Sequence, residues 1–259
     1  MITVPPGPFT MGSDNHYPEE RPAHEVHVDA FLISRAPVTV AEFALFVDAT
    51  RWVTSAERTP TDFDVPAGSA VFTPPDHPVD LSDPSGWWSW VEGAQWRYPT
   101  GPGSSAVDDH PVVQVSYGDA LAYCAWAEVS LPTEAQWERA AQGAVREQAN
   151  TWDGLFPWDT TKVATTSPVG CYPPNPLGLV DAVGNVWEWT TDPWTHDHAP
   201  RCCGPAHDPL APDVVLQVAK GGSFLCSADY CARYRPSARL AMAVDSSACH
   251  LGFRTMRSV

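Results

Sequence analysis

Long apolar runs and basic residues are both scarce in this chain of 259 residues. No stretch reaches the roughly 20 apolar residues that a membrane-spanning helix needs, so no membrane partner is expected. Only 15 Lys and Arg residues oppose 31 Asp and Glu residues, which leaves a formal net charge of −16. Because binding to nucleic acid or to an anionic membrane surface requires clustered Lys and Arg, this balance argues against both partners.

A secretory signal and a disulfide framework are also missing. Residues 1–6 contain neither the charged segment nor the apolar segment of a signal peptide. The seven cysteines are an odd number, and they are not spaced like the bridges of a small secreted protein. Both features predict a cytoplasmic protein whose thiols are reduced.

Proline and tryptophan, by contrast, are abundant, with 27 and 12 residues. Many prolines between short apolar runs favour turn-rich structure over long helices. The chain has no apparent internal repeat and no flexible linker. We therefore expect one irregular, loop-rich α+β domain over residues 1–259.

Three helices are predicted from apolar spacing and from capping boxes, in which the N-cap residue and the third helical residue exchange hydrogen bonds. They begin after Thr39, near Gly118 and after Thr133. Alternating polar and apolar residues predict one half-buried strand over residues 25–33. The stretch 60–111 is rich in Pro, Gly and Asp, which is typical of long packed loops.

Cys226 and Cys231 stand five positions apart in the segment GGSFLCSADYC. Two thiols at this separation can close a disulfide, remain free, or hold a soft metal ion. Thiolates select Cu(I) over hard cations such as Mg²⁺ or Ca²⁺. A closed zinc site is not expected, because it needs four ligands and no second Cys or His pair has suitable spacing.

Segments along nearly the whole chain resemble those of the formylglycine-generating enzyme family, in the family's order. They are FTMGS at 9–13, PVT at 37–39, WW at 87–88, HPVV at 110–113, LPTE at 131–134, GNVWEW at 184–189 and the block 221–254. The resemblance implies a single irregular α+β domain distantly related to C-type lectins. It also implies an O₂-dependent oxidase that converts a cysteine of a client sulfatase, in a Cys-x-Pro-x-Arg motif, to Cα-formylglycine.

The same resemblance implies the residues of the oxidase site. Cu(I) would be bound by the thiolates of Cys226 and Cys231, and the client cysteine would add a third thiolate. Ser223 would donate a hydrogen bond to reduced oxygen, and Trp187 would line the oxygen pocket while also packing in the core. Tyr230 is either an active-site hydroxyl or a buried aromatic residue.

Two features bear on whether the chain is active. Ser227 occupies a position where many relatives carry His, so no role is carried over to it and an altered efficiency is expected. The alternative function is that of a catalytically inactive or repurposed binding or chaperone-like member, but such relatives usually lack the Cys pair.

A sulfoxide synthase is not expected, because that branch needs a further iron-binding helical domain. The protein is expected to be a monomer.

The resemblance further implies a calcium site in the loop 181–188. Asp181 and Glu188 would supply carboxylates, and Gly184 and Val186 would supply carbonyl oxygens. Glu57 matches a further ligand from a distant loop.

A second calcium site of the family matches Asn150 and Thr151, but the acidic loop that follows them is short in this chain. This site is therefore either lost or completed by Asp159.

The remaining cysteines carry weaker expectations. Cys124 matches a disulfide position of secreted relatives, but the partner position is Thr255, which agrees with reduced thiols. A surface loop is expected at Cys202 and Cys203. Cys249 is expected to be either a buried thiol or a third redox-active sulfur.

Overall fold

The computed structural model describes residues 1–61, 64–199 and 215–259. Its α-helices are α1 (Val40–Thr50), α2 (Tyr117–Ala127) and α3 (Glu134–Ala141). Within these ranges, no helix is long and apolar enough to cross a membrane.

All three helices start with a capping box. Thr39 exchanges hydrogen bonds with Glu42 at the start of α1, and Thr133 does so with Gln136 at the start of α3, as predicted. Helix α2 starts one residue earlier than predicted, because Ser116 is its N-cap. A capping box satisfies two backbone N–H groups that would otherwise lack a partner, which explains why these starts are visible in the local sequence.

The strands are short and form small sheets. One antiparallel sheet has the order β1 (Ile2–Val4), β4 (Phe31–Ile33), β11 (Met256–Ser258). A second sheet has the order β10 (Leu251–Gly252), β7 (Trp187–Pro193), β8 (Leu216–Lys220), β9 (Arg239–Ala243). In this second sheet the β10–β7 pair is parallel and the other pairs are antiparallel.

Two antiparallel pairs complete the strands of the described ranges. They are β2 (Gly7–Met11) with β3 (His24–Val28), and β5 (Gly68–Phe72) with β6 (Trp88–Glu92). The predicted single strand over 25–33 is wrong, because β3 and β4 belong to different sheets and Asp29 and Ala30 separate them. The prediction of loops over 60–111 missed the β5–β6 pair, which a 15-residue connection separates in the sequence.

Three short helices and several small sheets confirm the predicted irregular α+β fold for the described residues. Trp187 and Trp189 on β7 lie in the largest apolar cluster, together with Phe43 of α1 and Tyr123 of α2. The end of β8 and the start of β7 meet at this core, and the chain that leaves β8 carries Cys226 and Cys231. The predicted surface loop at Cys202 and Cys203 lies outside the described residues.

Candidate active site

A glycine turn after β8 directs the chain into the site. Gly221 and Gly222 have φ values of +97° and +76°, in the left-handed region that favours glycine. A Cβ atom on Gly222 would lie 2.6 Å from the carbonyl oxygen of Arg233. Glycine at this position therefore lets the segment after β8 pack directly against the segment that follows Cys231.

The two predicted copper ligands lie side by side. The Sγ atoms of Cys226 and Cys231 are 3.5 Å apart, well beyond the ~2.05 Å of a disulfide bond, and both thiols are free. Cys226 is buried and accepts a hydrogen bond from the backbone N–H of Ser223 at 3.4 Å. Cys231 is only half-buried.

The surroundings of the two thiols separate their acidities. A hydrogen bond from the Cys226 thiol and the positive charge of Arg233 lower the pKa of Cys231. Burial, together with the Cys231 sulfur as neighbour, raises the pKa of Cys226. The pair therefore ionises first at Cys231, while Cys226 supplies the proton of the shared hydrogen bond.

Arg233 is held by an N-terminal segment far away in the sequence. Its guanidinium lies 3.8 Å from the Cys231 sulfur and donates to Glu19 at 2.6 Å. The same guanidinium stacks on the ring of Tyr17, at 3.9 Å from the ring centroid. Tyr17 also accepts a hydrogen bond from the N–H of Ala232 at 3.2 Å. Glu19, which is 214 residues away in the sequence, thus helps to hold the guanidinium of Arg233 beside the thiol pair.

The thiol pair opens into a pocket of about 290 Å³. All five residues predicted to be catalytic line this pocket: Cys226, Cys231, Ser223, Trp187 and Tyr230. Sequence reasoning assigned no role to Phe156, Arg233 and His250, which line it as well. Arg233 had a local signal, because it stands two residues after Cys231 within the block 221–254, whereas Phe156 and His250 had none.

Aromatic side chains make up much of the pocket wall. Tyr230 stacks on Phe156 with ring centroids 4.6 Å apart and meets the edge of Trp87 at 5.4 Å. Trp187 is buried, and its backbone N–H donates to the carbonyl of His250 at 2.8 Å. The alternative of a buried aromatic residue is wrong for Tyr230, because 37% of its surface is exposed; its ring packs against the aromatic cluster and its side chain lines the pocket.

Ser223 and Ser227 have different surroundings. The Ser223 hydroxyl lines the pocket and accepts a hydrogen bond from the N–H of Leu225 at 3.3 Å. Ser227 is buried, and its hydroxyl accepts a hydrogen bond from the N–H of Tyr230 at 3.2 Å. Ser227 therefore stabilises the turn between the two cysteines.

The donor set of the pocket fits Cu(I). It consists of two adjacent sulfur atoms, of which one is desolvated and the other lies beside a cation that favours the thiolate. Among the described residues, no group of three or more His, Cys, Asp and Glu side chains has the arrangement of a metal site. The described part of the chain thus offers no four-ligand zinc site.

The predicted calcium loop contains one carboxylate that suits a cation and one that is already paired. Asp181 is buried, its Oδ1 has no hydrogen-bond partner among the described residues, and burial raises its pKa. The carboxylate of Glu188 instead accepts two hydrogen bonds from Arg254, at 2.5 and 2.7 Å, and one from Trp137 at 2.6 Å. The residues therefore fit a cation at Asp181, whereas Arg254 already neutralises the charge of Glu188.

The other predicted calcium ligands also have structural partners. Glu57 accepts hydrogen bonds from the N–H and the hydroxyl of Thr54, at 2.9 and 2.8 Å, and lies 3.9 Å from Arg97. Asn150 donates through its side chain to the carbonyl of Thr165 at 2.9 Å, and its own carbonyl accepts from the N–H of Asn185 at 2.8 Å. Thr151 is buried next to it. Asn150 thus ties the second predicted loop to the first.

Cys249 lies outside the pocket of the thiol pair. It is buried, it lines a neighbouring cavity of about 230 Å³, and its sulfur accepts a hydrogen bond from the N–H of Phe72 at 3.2 Å. Burial raises the pKa of Cys249 to about 11, which favours the neutral thiol. These surroundings agree with a buried thiol rather than with a third redox-active sulfur.

Over residues 1–259 the chain matches the sulfatase-modifying factor enzyme 1-like domain. It is 45% identical to a formylglycine-generating enzyme of Mycobacterium tuberculosis, over 98% of this chain and 96% of that protein. It is also 36% identical to an inactive C-alpha-formylglycine-generating enzyme 2 of Bos taurus, over 98% of this chain and 86% of that protein. The structure of PvdO from Pseudomonas aeruginosa superposes with a TM-score of 0.68 at 24% identity, covering 99% of this chain and 93% of that one. This likeness confirms the fold.

Proposed function

This chain belongs to the sulfatase-modifying factor enzyme 1-like family, and we propose that it oxidises a cysteine of a client sulfatase to Cα-formylglycine. In this proposal the client motif is Cys-x-Pro-x-Arg, the oxidant is O₂, and the cofactor is Cu(I) bound by Cys226 and Cys231. The relatives named formylglycine-generating enzyme support the reaction class.

One observation carries the proposal: the free thiol pair lies 3.5 Å apart at an aromatic pocket that also contains Ser223, Trp187 and Tyr230. A structural disulfide would need no pocket, and two unrelated buried thiols would need no neighbouring cation. Soft donors beside a space for a peptide side chain are what a copper-dependent oxidation of a thiol requires.

The proposed reaction removes two electrons from the client cysteine. The thiol R–CH₂–SH and O₂ give the thioaldehyde R–CH=S and H₂O₂, as one Cβ–H bond and the S–H bond break and two electrons pass to O₂. Water then adds to the C=S bond and H₂S leaves, which gives the aldehyde R–CHO. Bound Cu(I) would supply a soft site for the client thiolate and a route for electrons to O₂.

The residues of this chain would control charge and water. The thiolates of Cys226, Cys231 and the client carry three negative charges together, against one positive charge of Cu(I), and the guanidinium of Arg233, itself paired with Glu19, lies beside Cys231. Trp187 and the neighbouring aromatic residues would exclude water from the space where O₂ is reduced. Ser223 would donate a hydrogen bond to the reduced oxygen. Tyr230, whose ring is fixed by Phe156, would orient its hydroxyl at the same wall.

The alternative is a member of the family without catalytic activity, and an inactive relative at 36% identity gives it a basis. The two functions differ in what the Cys pair does. A purely binding protein has no use for two free thiols of opposite pKa shift at a pocket. We therefore favour the oxidase.

The test uses a reporter peptide that carries Cys-x-Pro-x-Arg, together with Cu(I), O₂ and a thiol reductant, and detects formylglycine by mass spectrometry. We expect product with the parent protein and with Cys171→Ser, a control that removes an exposed free thiol. Cys226→Ser and Cys231→Ser should each lose product formation, since one thiolate does not provide a two-sulfur site. Near-normal turnover by either variant would refute the role of the pair.

Two further parts of the proposal concern the setting of the protein. A cytoplasmic, reducing location is supported by the five free thiols among the described residues, and a monomer is proposed with it.

We also propose a calcium ion at Asp181, with the carbonyl oxygens of Gly184 and Val186 as further ligands. The unpartnered Oδ1 atom of Asp181 supports this site.

A further inference from the structure

His250 is a buried polar residue of the active-site pocket for which the proposed chemistry has no task. It lines the same pocket as Cys226 and Cys231, and only 9% of its surface is exposed. Its Nδ1 atom is buried and has no hydrogen-bond partner among the described residues. Because buried polar atoms are nearly always hydrogen-bonded, an unpartnered nitrogen on a residue that lines a pocket makes that residue a candidate contact for a bound molecule.

The ring of His250 is held in position. Its centroid lies 4.9 Å from that of Trp88, and its backbone carbonyl accepts the N–H of Trp187 at 2.8 Å. Strand β10, paired with β7, starts at the next residue. The imidazole is therefore a preorganised group of the pocket and not a mobile surface side chain.

The protonation state of His250 narrows its role. Burial lowers the pKa of His250 to about 4, so the ring is neutral near pH 7. A neutral imidazole carries one N–H donor and one acceptor nitrogen. It is a poor anchor for an anion and a weak base, but it is well suited to a neutral amide group, which also carries a donor and an acceptor.

The apolar wall of the pocket leaves the main-chain amide groups of a bound client peptide with few hydrogen-bond partners. Its wall contains Trp87, Trp88, Phe156, Leu225 and Leu240, which offer little hydrogen bonding. A client peptide that brings its cysteine to the thiol pair must bury the peptide groups on either side of that cysteine. Each such group costs free energy if it loses water without gaining a hydrogen bond.

Two other polar side chains of the wall already have partners within the protein. Ser223 accepts a hydrogen bond from Leu225 through its hydroxyl, and Arg233 is paired with Glu19. His250 differs from them in having a buried nitrogen without a partner.

We propose that His250 binds the client by hydrogen-bonding a main-chain amide group next to the reactive cysteine. This inference rests on the proposed function, because it takes the bound molecule to be a cysteine-containing peptide. It adds a substrate-binding residue to the site and involves no proton transfer.

The test measures binding without turnover. The probe is a fluorescent peptide with Ser in place of the reactive cysteine of Cys-x-Pro-x-Arg, titrated with the metal-free protein. His250→Phe keeps an aromatic ring beside Trp88 but has no nitrogen, whereas His250→Asn keeps an amide close to the Nδ1 position. We expect binding about 5- to 50-fold weaker for His250→Phe and within about 3-fold of the parent for His250→Asn. Equal binding by the Phe variant and the parent protein would overturn the inference.

Two controls keep the result interpretable. Thermal unfolding and Cu(I) affinity should match those of the parent protein in both variants, which shows that the fold and the thiol pair are intact. In the parent protein with ¹⁵N-labelled histidine, a ring signal that is missing from the His250→Phe spectrum should shift when the peptide is added. If that signal does not move, His250 does not contact the peptide.

The failure of this inference is separable from the failure of the proposed function. Absence of peptide binding by the parent protein would overturn the inference. Binding that depends on His250 without any formylglycine formation would refute only the proposed oxidation.

Discussion

Cys226 and Cys231 share a hydrogen bond at 3.5 Å but face different surroundings. Cys226 lies in the apolar core, whereas Cys231 is half-buried beside the guanidinium of Arg233. Since thiolates are better nucleophiles and better ligands than thiols, Cys231 is the sulfur that meets a reagent or a metal ion first. Cys226 then requires deprotonation, which binding of a metal ion would promote.

Alkylation of the metal-free protein tests this asymmetry. The pKa of Cys231 is lowered, so its rate of reaction with iodoacetamide should reach half of its maximum at a pH below the ~8.5 of an ordinary thiol. Arg233→Met should move that midpoint upwards because the positive charge is lost, and Arg233→Lys should move it less. Peptide mapping after a pulse of reagent at several pH values gives the rate at each cysteine.

A midpoint for Cys231 at or above that of an ordinary thiol would contradict the assigned acidity. The same would follow if the Met and Lys variants behaved alike, because the effect would then not depend on charge.

At the residue scale, the proposed copper ligands could be predicted from the sequence, but the residues that surround them in the fold could not. Cys226, Cys231 and Ser223 are recognisable because they stand within one short motif. The pairing of Arg233 with Glu19 spans 214 residues, and the place of His250 depends on the pairing of β10 with β7. Contacts of this kind depend on tertiary packing, so no local pattern encodes them.

At the scale of elements, a buried ionic cluster joins α3 to β8 and β9. Lys220 of β8 is fully buried and contacts Glu138 at 2.9 Å and Glu134 at 3.3 Å. Arg239 of β9 donates to Glu134 at 2.7 and 3.0 Å. The charges of these four residues cancel, which makes their burial tolerable. Both β8 and β9 flank the segment with the thiol pair, so the cluster supports the site.

Lys220→Met should destabilise the protein strongly. The loss of the ammonium leaves Glu138 buried without its cation, at a cost of about 3–5 kcal/mol in the free energy of unfolding. The double variant Lys220→Met/Glu138→Gln should recover part of this loss, because the uncompensated charge is gone and Gln can still accept the N–H of Gly12. Urea unfolding of both single variants and of the double variant measures the coupling.

The stability of the Lys220→Met variant should depend on pH through the carboxyl group of Glu138. Burial raises the pKa of Glu138 above its ordinary value, so the folded state binds the proton more tightly than the unfolded state. The variant should therefore be relatively more stable at low pH and lose stability as the pH rises through the folded-state pKa. Additive effects in the cycle, with no dependence on pH, would show that the pair is not coupled.

The loop 181–188 should stabilise the fold in two ways, through a calcium ion at Asp181 and through the ion pair between Glu188 and Arg254. Calcium should raise the melting temperature of the parent protein, and Asp181→Asn should abolish this increase. Glu188→Gln should lower the melting temperature equally in calcium and in chelator, because Arg254 loses its counter-charge in both cases. Differential scanning fluorimetry of the three proteins in both buffers measures these effects. A parent protein with the same melting temperature in both buffers has no structural calcium in this loop.

Helix starts and strand pairings differ in how well they could be predicted. Thr39 and Thr133 satisfy the first turns of their helices through residues three positions on, so the information is local. Strands β5 and β6 are paired across a long Pro- and Asp-rich connection, and β3 and β4 lie next to each other in sequence but in different sheets. A register of this kind is set by which faces become buried, and the alternation over residues 25–33 does not contain that information.

At the scale of the whole molecule, the net charge of −16 should attract a client motif that contains Arg. We expect the kcat/KM for a Cys-x-Pro-x-Arg peptide to fall as ionic strength rises from about 0.01 M to 0.15 M, because the Debye length shrinks from about 30 to about 8 Å. A peptide with Ala in place of Arg should show a lower kcat/KM at low salt and a weaker dependence on salt. Equal values for the two peptides at both ionic strengths would contradict an electrostatic contribution and leave the copper chemistry unaffected.

The central claim is that the thiol pair uses Cu(I) and O₂ to oxidise a client cysteine. The most direct measurement loads the metal-free protein with Cu(I) under nitrogen, adds the Cys-x-Pro-x-Arg peptide, and then admits O₂ while formylglycine is followed by mass spectrometry. The account predicts no product before O₂ is admitted, product afterwards, and none from protein that was left metal-free. Two results would contradict the account: formylglycine formed by the metal-free protein, or a peptide whose cysteine is still intact after the copper-loaded protein has been exposed to O₂.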